Sequence, residues 1–142
     1  MGGQDPRMCF ACGRDNPIGL RLSFVEDGET LATTFTPRPE HQGWPGWTHG
    51  GLVLTVLDEV MAQWCWRHGL PAMTAEMTVR FRHGVPTGRT IHVTARPLRQ
   101  KGRLVELEAE ARLDDGTPAA QATAKFIRTS AALNGGPGGA AR

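Results

Sequence analysis

WTHGGLVLTVLDEVMAQWCW, residues Trp47 to Trp66, is the stretch that decides the fold. From about Gly50 to about Arg67 it is apolar nearly all round, as a helix is when the rest of a protein encloses it. HGLP ends it, with Gly69 near the C-cap and Pro71 just beyond. Two carboxylates, Asp58 and Glu59, nevertheless sit side by side in its middle. Helical spacing separates them. Glu59 falls on a polar row with Thr55, Gln63 and Arg67, whereas Asp58 falls with Leu54, Met61, Ala62 and Cys65, where nothing on the row can pair with it. A carboxylate in that position is exposed, satisfied from elsewhere, or kept for function, because burying it unpaired is costly.

Outward from the helix the chain reads as strands. Leu20 to Val25 and Leu31 to Phe35 alternate around the turn formers of EDGE, a hairpin signal. Pro37, Pro39 and Pro45 then force an irregular approach to the helix. After it come Thr74 to Phe81, Thr90 to Leu98, Arg103 to Leu113 and Ala119 to Thr129, joined by HGVPTG, RQKG and DDGTP. In VELEAEARL the residues Val105, Leu107, Ala109, Ala111 and Leu113 share one face, and Glu106, Glu108, Glu110 and Arg112 the other. Two strands, one long helix and four strands with hairpin-length turns predict an α+β domain. In it a mainly antiparallel sheet of about six strands curls around the helix.

The 142 residues make one domain: a lead-in over 1–18 around CFACG, a folded part over 19–129, and a Gly-rich tail over 130–142. Net charge is +2 and the 16 Lys and Arg residues are scattered, which argues against a nucleic-acid footprint. No apolar run reaches the roughly 20 residues of a membrane span, and MGGQDPR lacks a signal-peptide core, so a cytoplasmic protein is expected. Cys9 and Cys12 have the spacing of half a zinc site, but no second CxxC or HxxxH follows and Cys65 falls inside the helix. His41, His68, His83 and His92 show no ligand spacing either, so no metal site is expected and the pair reads as part of a packed loop.

HGG at the helix start is the other chemical feature. Gly50 and Gly51 leave backbone N–H groups and the positive end of the helix dipole unobstructed, an oxyanion site in waiting. Gly50 and Asp58 are separated by roughly 12 Å along a regular helix, so an irregular start, a spanning substrate or a second subunit is needed to unite them. His49 is either a general base or the residue that caps the glycine turn.

CFACGRDNPIGLRLSF, HQGWPGWTHGGLVLTVLDEVMA and MTAEMTVRFRHGVPTG together resemble the hotdog-fold thioesterases of the PaaI-like group, over about residues 8–128. The resemblance implies a curved sheet wrapped around the helix and a homodimer with joined sheets, often paired again into a dimer of dimers. It also implies active sites between subunits and hydrolysis of an acyl-coenzyme A thioester without a cofactor. Carried over by position, Asp58 is the catalytic carboxylate, the Gly50 N–H with Gly51 polarises the thioester carbonyl, and Thr74 is the hydroxyl that a facing subunit supplies to position water. Gln42 is nearest to the Asn or Gln that some relatives carry before HGG, and Glu59 is a second candidate acid. Arg80 and Arg82, with Arg89, Arg99 and Lys101, are candidates for the phosphates of coenzyme A, and Trp44, Trp47 and Trp64 for the acyl pocket. A thiolate leaving group needs no strong general acid, which fits so sparse a set. Two alternatives stand beside hydrolysis: a hotdog enoyl-CoA hydratase or dehydratase using His49, and a non-catalytic acyl-CoA binding protein.

Overall fold

The computed structural model describes residues 7–129. The tail expected over 130–142 and the first six residues lie outside that range. Six strands and one long helix follow in the order β1 (Phe24–Asp27), β2 (Thr30–Phe35), α1 (Gly50–Arg67), β3 (Ala72–Phe81), β4 (Ile91–Lys101), β5 (Leu104–Leu113) and β6 (Pro118–Arg128). All pairings are antiparallel, in one sheet of order β1-β2-β4-β5-β6-β3.

The sheet holds α1 against its inner face through the alternation read in the sequence. Val105, Leu107, Ala109, Ala111 and Leu113 of β5 are all buried, and they meet Val53, Val56, Leu57, Val60 and Met61 of the helix. Each valine, leucine or methionine buried there contributes about 1.5–3 kcal/mol. Enclosure is incomplete on one side: Gly51 and Leu54 are exposed and Asp58 is half-buried. At its far end the helix closes as the HGLP signal predicted. Gly69 takes a left-handed φ of 71°, and the N–H groups of Gly69 and Leu70 return to the carbonyls of Trp66 and Cys65.

The first strand begins later than its alternation suggests. Arg21 has a φ of 54°, and the N–H groups of Leu20 and Leu22 are taken at 2.9 Å by the carbonyls of Phe10 and Ala11. The stretch before Phe24 therefore runs beside the lead-in loop instead of pairing with β2, and Ala11 and Leu22 enter the core together.

β3 lies at the sheet edge and carries an irregularity of direct importance. Thr74 pairs with Phe126 and Glu76 with Lys125, so Ala75 is an extra residue. Opposed residues share a face, and Phe126 is fully buried, which turns Thr74 toward the helix. Beyond the bulge Met77 and Val79 pack on the core, while Glu76 reaches Lys125 across the outer face.

Candidate active site

The helix start is built from His49. Its backbone is extended (φ −60°, ψ 130°), and its Nδ1 accepts from the N–H of Gly51 at 2.9 Å. Its carbonyl accepts from Leu52 at 3.0 Å and Val53 at 3.3 Å. Of the first four N–H groups only that of Gly50 has no acceptor among the described residues. Gly50 itself lines a cavity of about 560 Å³ with Trp44, Trp47, Val53, Phe81 and Arg82. A donor at the positive end of a helix, beside apolar aromatic walls, suits a carbonyl oxygen that gains charge.

The aromatic wall is held in place by its backbone. Gln42 Oε1 accepts from Gly46 at 3.0 Å, Gly43 donates to Trp47 at 2.8 Å, and Thr48 donates to Val85 at 2.8 Å. Buried His41 anchors the preceding turn, its Nδ1 accepting from Arg38 at 2.9 Å. These bonds place Gln42 as a loop brace. They leave Trp44 82% exposed at the edge of the cavity it lines. Phe81, which sequence reading passed over, stands at the end of β3 against Gly50. Arg82 reaches the same cavity, its guanidinium steadied by Gln121 Oε1 at 3.1 and 3.0 Å. Arg80 does not join it and lines a groove of about 680 Å³ on the outer face with Arg96 and Glu108. Arg89 is engaged with Asp114 and Arg99 with Glu106. Trp64 is inside the core, donating to the Glu29 carbonyl at 2.8 Å.

Asp58 finds its partner off its own helix. Thr74 Oγ1, turned inward by the bulge in β3, donates to Asp58 Oδ1 at 2.7 Å within one chain. The hydroxyl that the resemblance assigns to a facing subunit thus already touches the carboxylate of its own. The helix is regular from Gly50 onward, so the roughly 12 Å between Gly50 and Asp58 stands, and Asp58 does not line the cavity.

Glu59 keeps one partner of the polar row assigned to it, Gln63. Thr55 bonds back to the Gly51 carbonyl at 2.8 Å, and Arg67 turns to Glu26 and the Phe24 ring, so the row does not act as one stripe. Glu59 lies under the lead-in loop instead. Cys9 Sγ donates to Glu59 Oε2 at 3.8 Å, and Gln63 Nε2 donates to the same oxygen at 3.4 Å and to Cys12 Sγ at 3.8 Å. Burial pushes the Glu59 acid up to about 7. The Cys12 hydrogen bond, helped by the backbone N–H groups of Cys12, Ala11 and Gly13, lowers the Cys9 thiol to about 5. Cys12 is pushed upward by that same bond, by burial and by Glu59. The i, i+4 pair Glu59 and Gln63, polar positions on a helix otherwise apolar there, is the signal that something polar had to cover them.

The sequence profile of the thioesterase superfamily matches residues 45–120. Acyl-coenzyme A thioesterase THEM4 of Xenopus laevis is 32% identical over 99 residues, 69% of this chain and 45% of that protein. The Bos taurus protein of the same name is 26% identical over 122 residues, 84% of this chain and 50% of that one. The chain spans about half the length of these curated relatives. Among solved structures, the E. coli PaaI protein from the phenylacetic acid degradation operon superposes with a TM-score of 0.74 at 21% identity, covering 78% of this chain and 81% of its own. A Streptococcus mutans protein bound to acetyl CoA gives 0.72 at 16% identity, over 77% of this chain and 89% of its own. The fold is therefore the hotdog expected from the sequence, a six-stranded antiparallel sheet around one central helix.

Proposed function

Because the chain belongs to the thioesterase superfamily, we propose that it hydrolyses an acyl-coenzyme A thioester to the free acid and coenzyme A. The observation that carries this reading is the unclaimed Gly50 N–H at the wall of an apolar, aromatic cavity. The acyl-CoA thioesterase names of the curated relatives and the acetyl CoA bound to the S. mutans protein support the substrate class.

The chemistry needs three things. The carbonyl oxygen binds at the Gly50 N–H, where the helix dipole favours the negative charge of the tetrahedral intermediate. A water attacks the carbonyl carbon and gives its proton to the Asp58 carboxylate, whose orientation Thr74 fixes. The carbon–sulfur bond then breaks and coenzyme A leaves as a thiolate, a good leaving group since a thiol has a parent pKa of about 8.5. The proton held by Asp58 passes to it or to solvent.

One chain cannot bring the two ends of this site to one carbonyl, which supports a homodimer in which Gly50 works with the partner subunit's Asp58. β3 offers the joint: it is a ten-residue edge strand with Met73 and Phe81 exposed. Two such dimers pairing again would give the dimer of dimers. The position of Arg82 at the cavity supports it as the candidate for a phosphate of coenzyme A. His49 acts as the cap with Nδ1 occupied, so the hydratase reading gains no support. Among the described residues no helix is long and apolar enough to cross a membrane.

The test is thiol release from short, medium, long and aryl acyl-CoAs by wild type and by Asp58→Asn, which keeps shape and removes charge. Wild type is expected to turn over one class, and the variant to lose at least about a hundredfold, roughly 2.7 kcal/mol of barrier. An inactive wild type, or an Asn variant of equal rate, sinks the proposal and leaves binding without turnover as the better account.

A further inference from the structure

The hydrolytic site leaves one cluster of reactive side chains unused. Cys9 Sγ, Cys12 Sγ and a Glu59 carboxylate oxygen lie within 4.8 Å of one another, half-buried between the lead-in loop and the central helix. We propose that Cys9, Cys12 and Glu59 bind a thiophilic divalent cation, zinc foremost, that clips the loop to the helix.

The loop is shaped for it. CFACG forms a tight turn in which Gly13 donates to the Cys9 carbonyl at 2.8 Å and the Cys12 N–H points at Cys9 Sγ at 3.5 Å. A backbone N–H aimed at sulfur favours the thiolate that a metal takes as ligand. A side chain at Gly13 would fall 2.4 Å from Arg7 O and Cys9 N and 2.6 Å from Cys9 O, so the turn closes only around glycine. Both sulfurs are thereby delivered to the same side, facing the helix. The spacing that looked like half a site in sequence gains its third donor from a residue some fifty positions away.

The donor separations suit a small ion. Zinc bonds of about 2.3 Å to sulfur and about 2.1 Å to oxygen, set tetrahedrally, place donors about 3.5–3.8 Å apart. Cys9 Sγ already stands 3.8 Å from Glu59 Oε2, so at most a modest closure of the other pairs is required. The fourth position belongs to Gln63 or a water. The Gln63 carboxamide sits 3.8 Å from Cys12 Sγ and 3.4 Å from Glu59 Oε2, and turning the amide over presents its oxygen. None of the ion pairs among the described residues includes Glu59. Two sulfurs in the donor set select zinc over magnesium or calcium. Cys65 stays apart, buried in the core.

The full chain, purified under reductant without chelator, is expected to carry close to one zinc per chain by elemental analysis. After stripping, cobalt(II) should restore one equivalent, with near-ultraviolet sulfur-to-cobalt charge transfer and the visible bands of tetrahedral coordination. Cys9→Ser and Cys12→Ser should each diminish the charge-transfer band. Glu59→Gln should keep it while weakening affinity at least about tenfold, and Cys65→Ala should bind as wild type does. Circular dichroism establishes which variants are folded, and if a serine variant is not, the wild-type stoichiometry and the Glu59→Gln titration still decide. The proposal is overturned if reduced, folded wild type takes up neither ion. It is equally overturned if folded Cys9→Ser binds like wild type, or if a Cys9–Cys12 disulfide forms in air and its reduction restores no metal binding.

Discussion

Replacing Gly50 with alanine separates the helix start as a structural element from the helix start as an oxyanion site. Gly50 is not among the glycines of positive φ, so its backbone accepts a side chain. A Cβ added there would meet the Phe81 ring at 3.6 and 3.7 Å, ordinary van der Waals contact. Alanine also favours the helix by up to about 1 kcal/mol over glycine, less in the first turn. The melting temperature should therefore stay or rise by up to about 4 °C. Alanine keeps the N–H, but its methyl crowds the approach the carbonyl oxygen must make to about 2.7–3.1 Å, and keeping the oxygen from such a donor costs about a hundredfold in rate or more, roughly 2.7–4 kcal/mol. Thiol release and thermal melting on the same preparation give both numbers. Gly51→Ala is the contrast: its Cβ would stand 3.1 Å from His49 Nδ1, disturbing the cap and costing about 0.5–2 kcal/mol of stability. A Gly50→Ala enzyme within about threefold of wild type, a barrier change under roughly 0.7 kcal/mol, would refute the assignment of that N–H. So would a rate loss explained by an equal loss of stability.

Two further substitutions address the carboxylate and the loop. Thr74→Val removes the 2.7 Å donor to Asp58. Since Thr74 is exposed and water can replace it, stability should change by less than about 1 kcal/mol, while turnover falls about tenfold; urea melts and kcat measured together check this. Gly13→Ala places a methyl on backbone atoms that cannot swing aside, and should cost about 1–3 kcal/mol in urea. Faster amide exchange at Leu20 and Leu22, whose N–H groups bond to the lead-in loop, would locate the damage there, and unchanged exchange would contradict this account.

The parts legible in the sequence were those governed by periodicity and by glycine. The helix bounds followed from HGG and HGLP, and the faces of β5 from strict alternation. The inward turn of Thr74 had no such signal. Thr74, Glu76, Thr78 and Arg80 alternate perfectly with Ala75, Met77 and Val79, so the sequence places Thr74 outward, and only the pairing with β6 shows the extra residue. Glu59 was hidden for another reason. Its local neighbours on the helix are polar, and what covers it arrives from the far end of the chain through loop turns that periodicity does not encode. Asp58 was visible as an anomaly, but its partner was not.

The bulge in β3 has a consequence for how the strand can change in length. With Ala75 inserted, the strand is one residue longer than the ladder it serves, and that surplus sits next to Asp58. Removing Ala75 would leave Thr74 facing inward and Met77 and Val79 still on the core, because two residues that flank an added beat keep step when the beat is dropped. Removing any one residue from Met77 to Phe81 would instead throw the strand out of step with β6 on one side of the gap. A scan of single deletions along β3, read by thermal melting, should therefore find its tolerant positions confined to the bulge, residues 74–76. The place where the ladder is least regular is where the chain can best afford to be shortened.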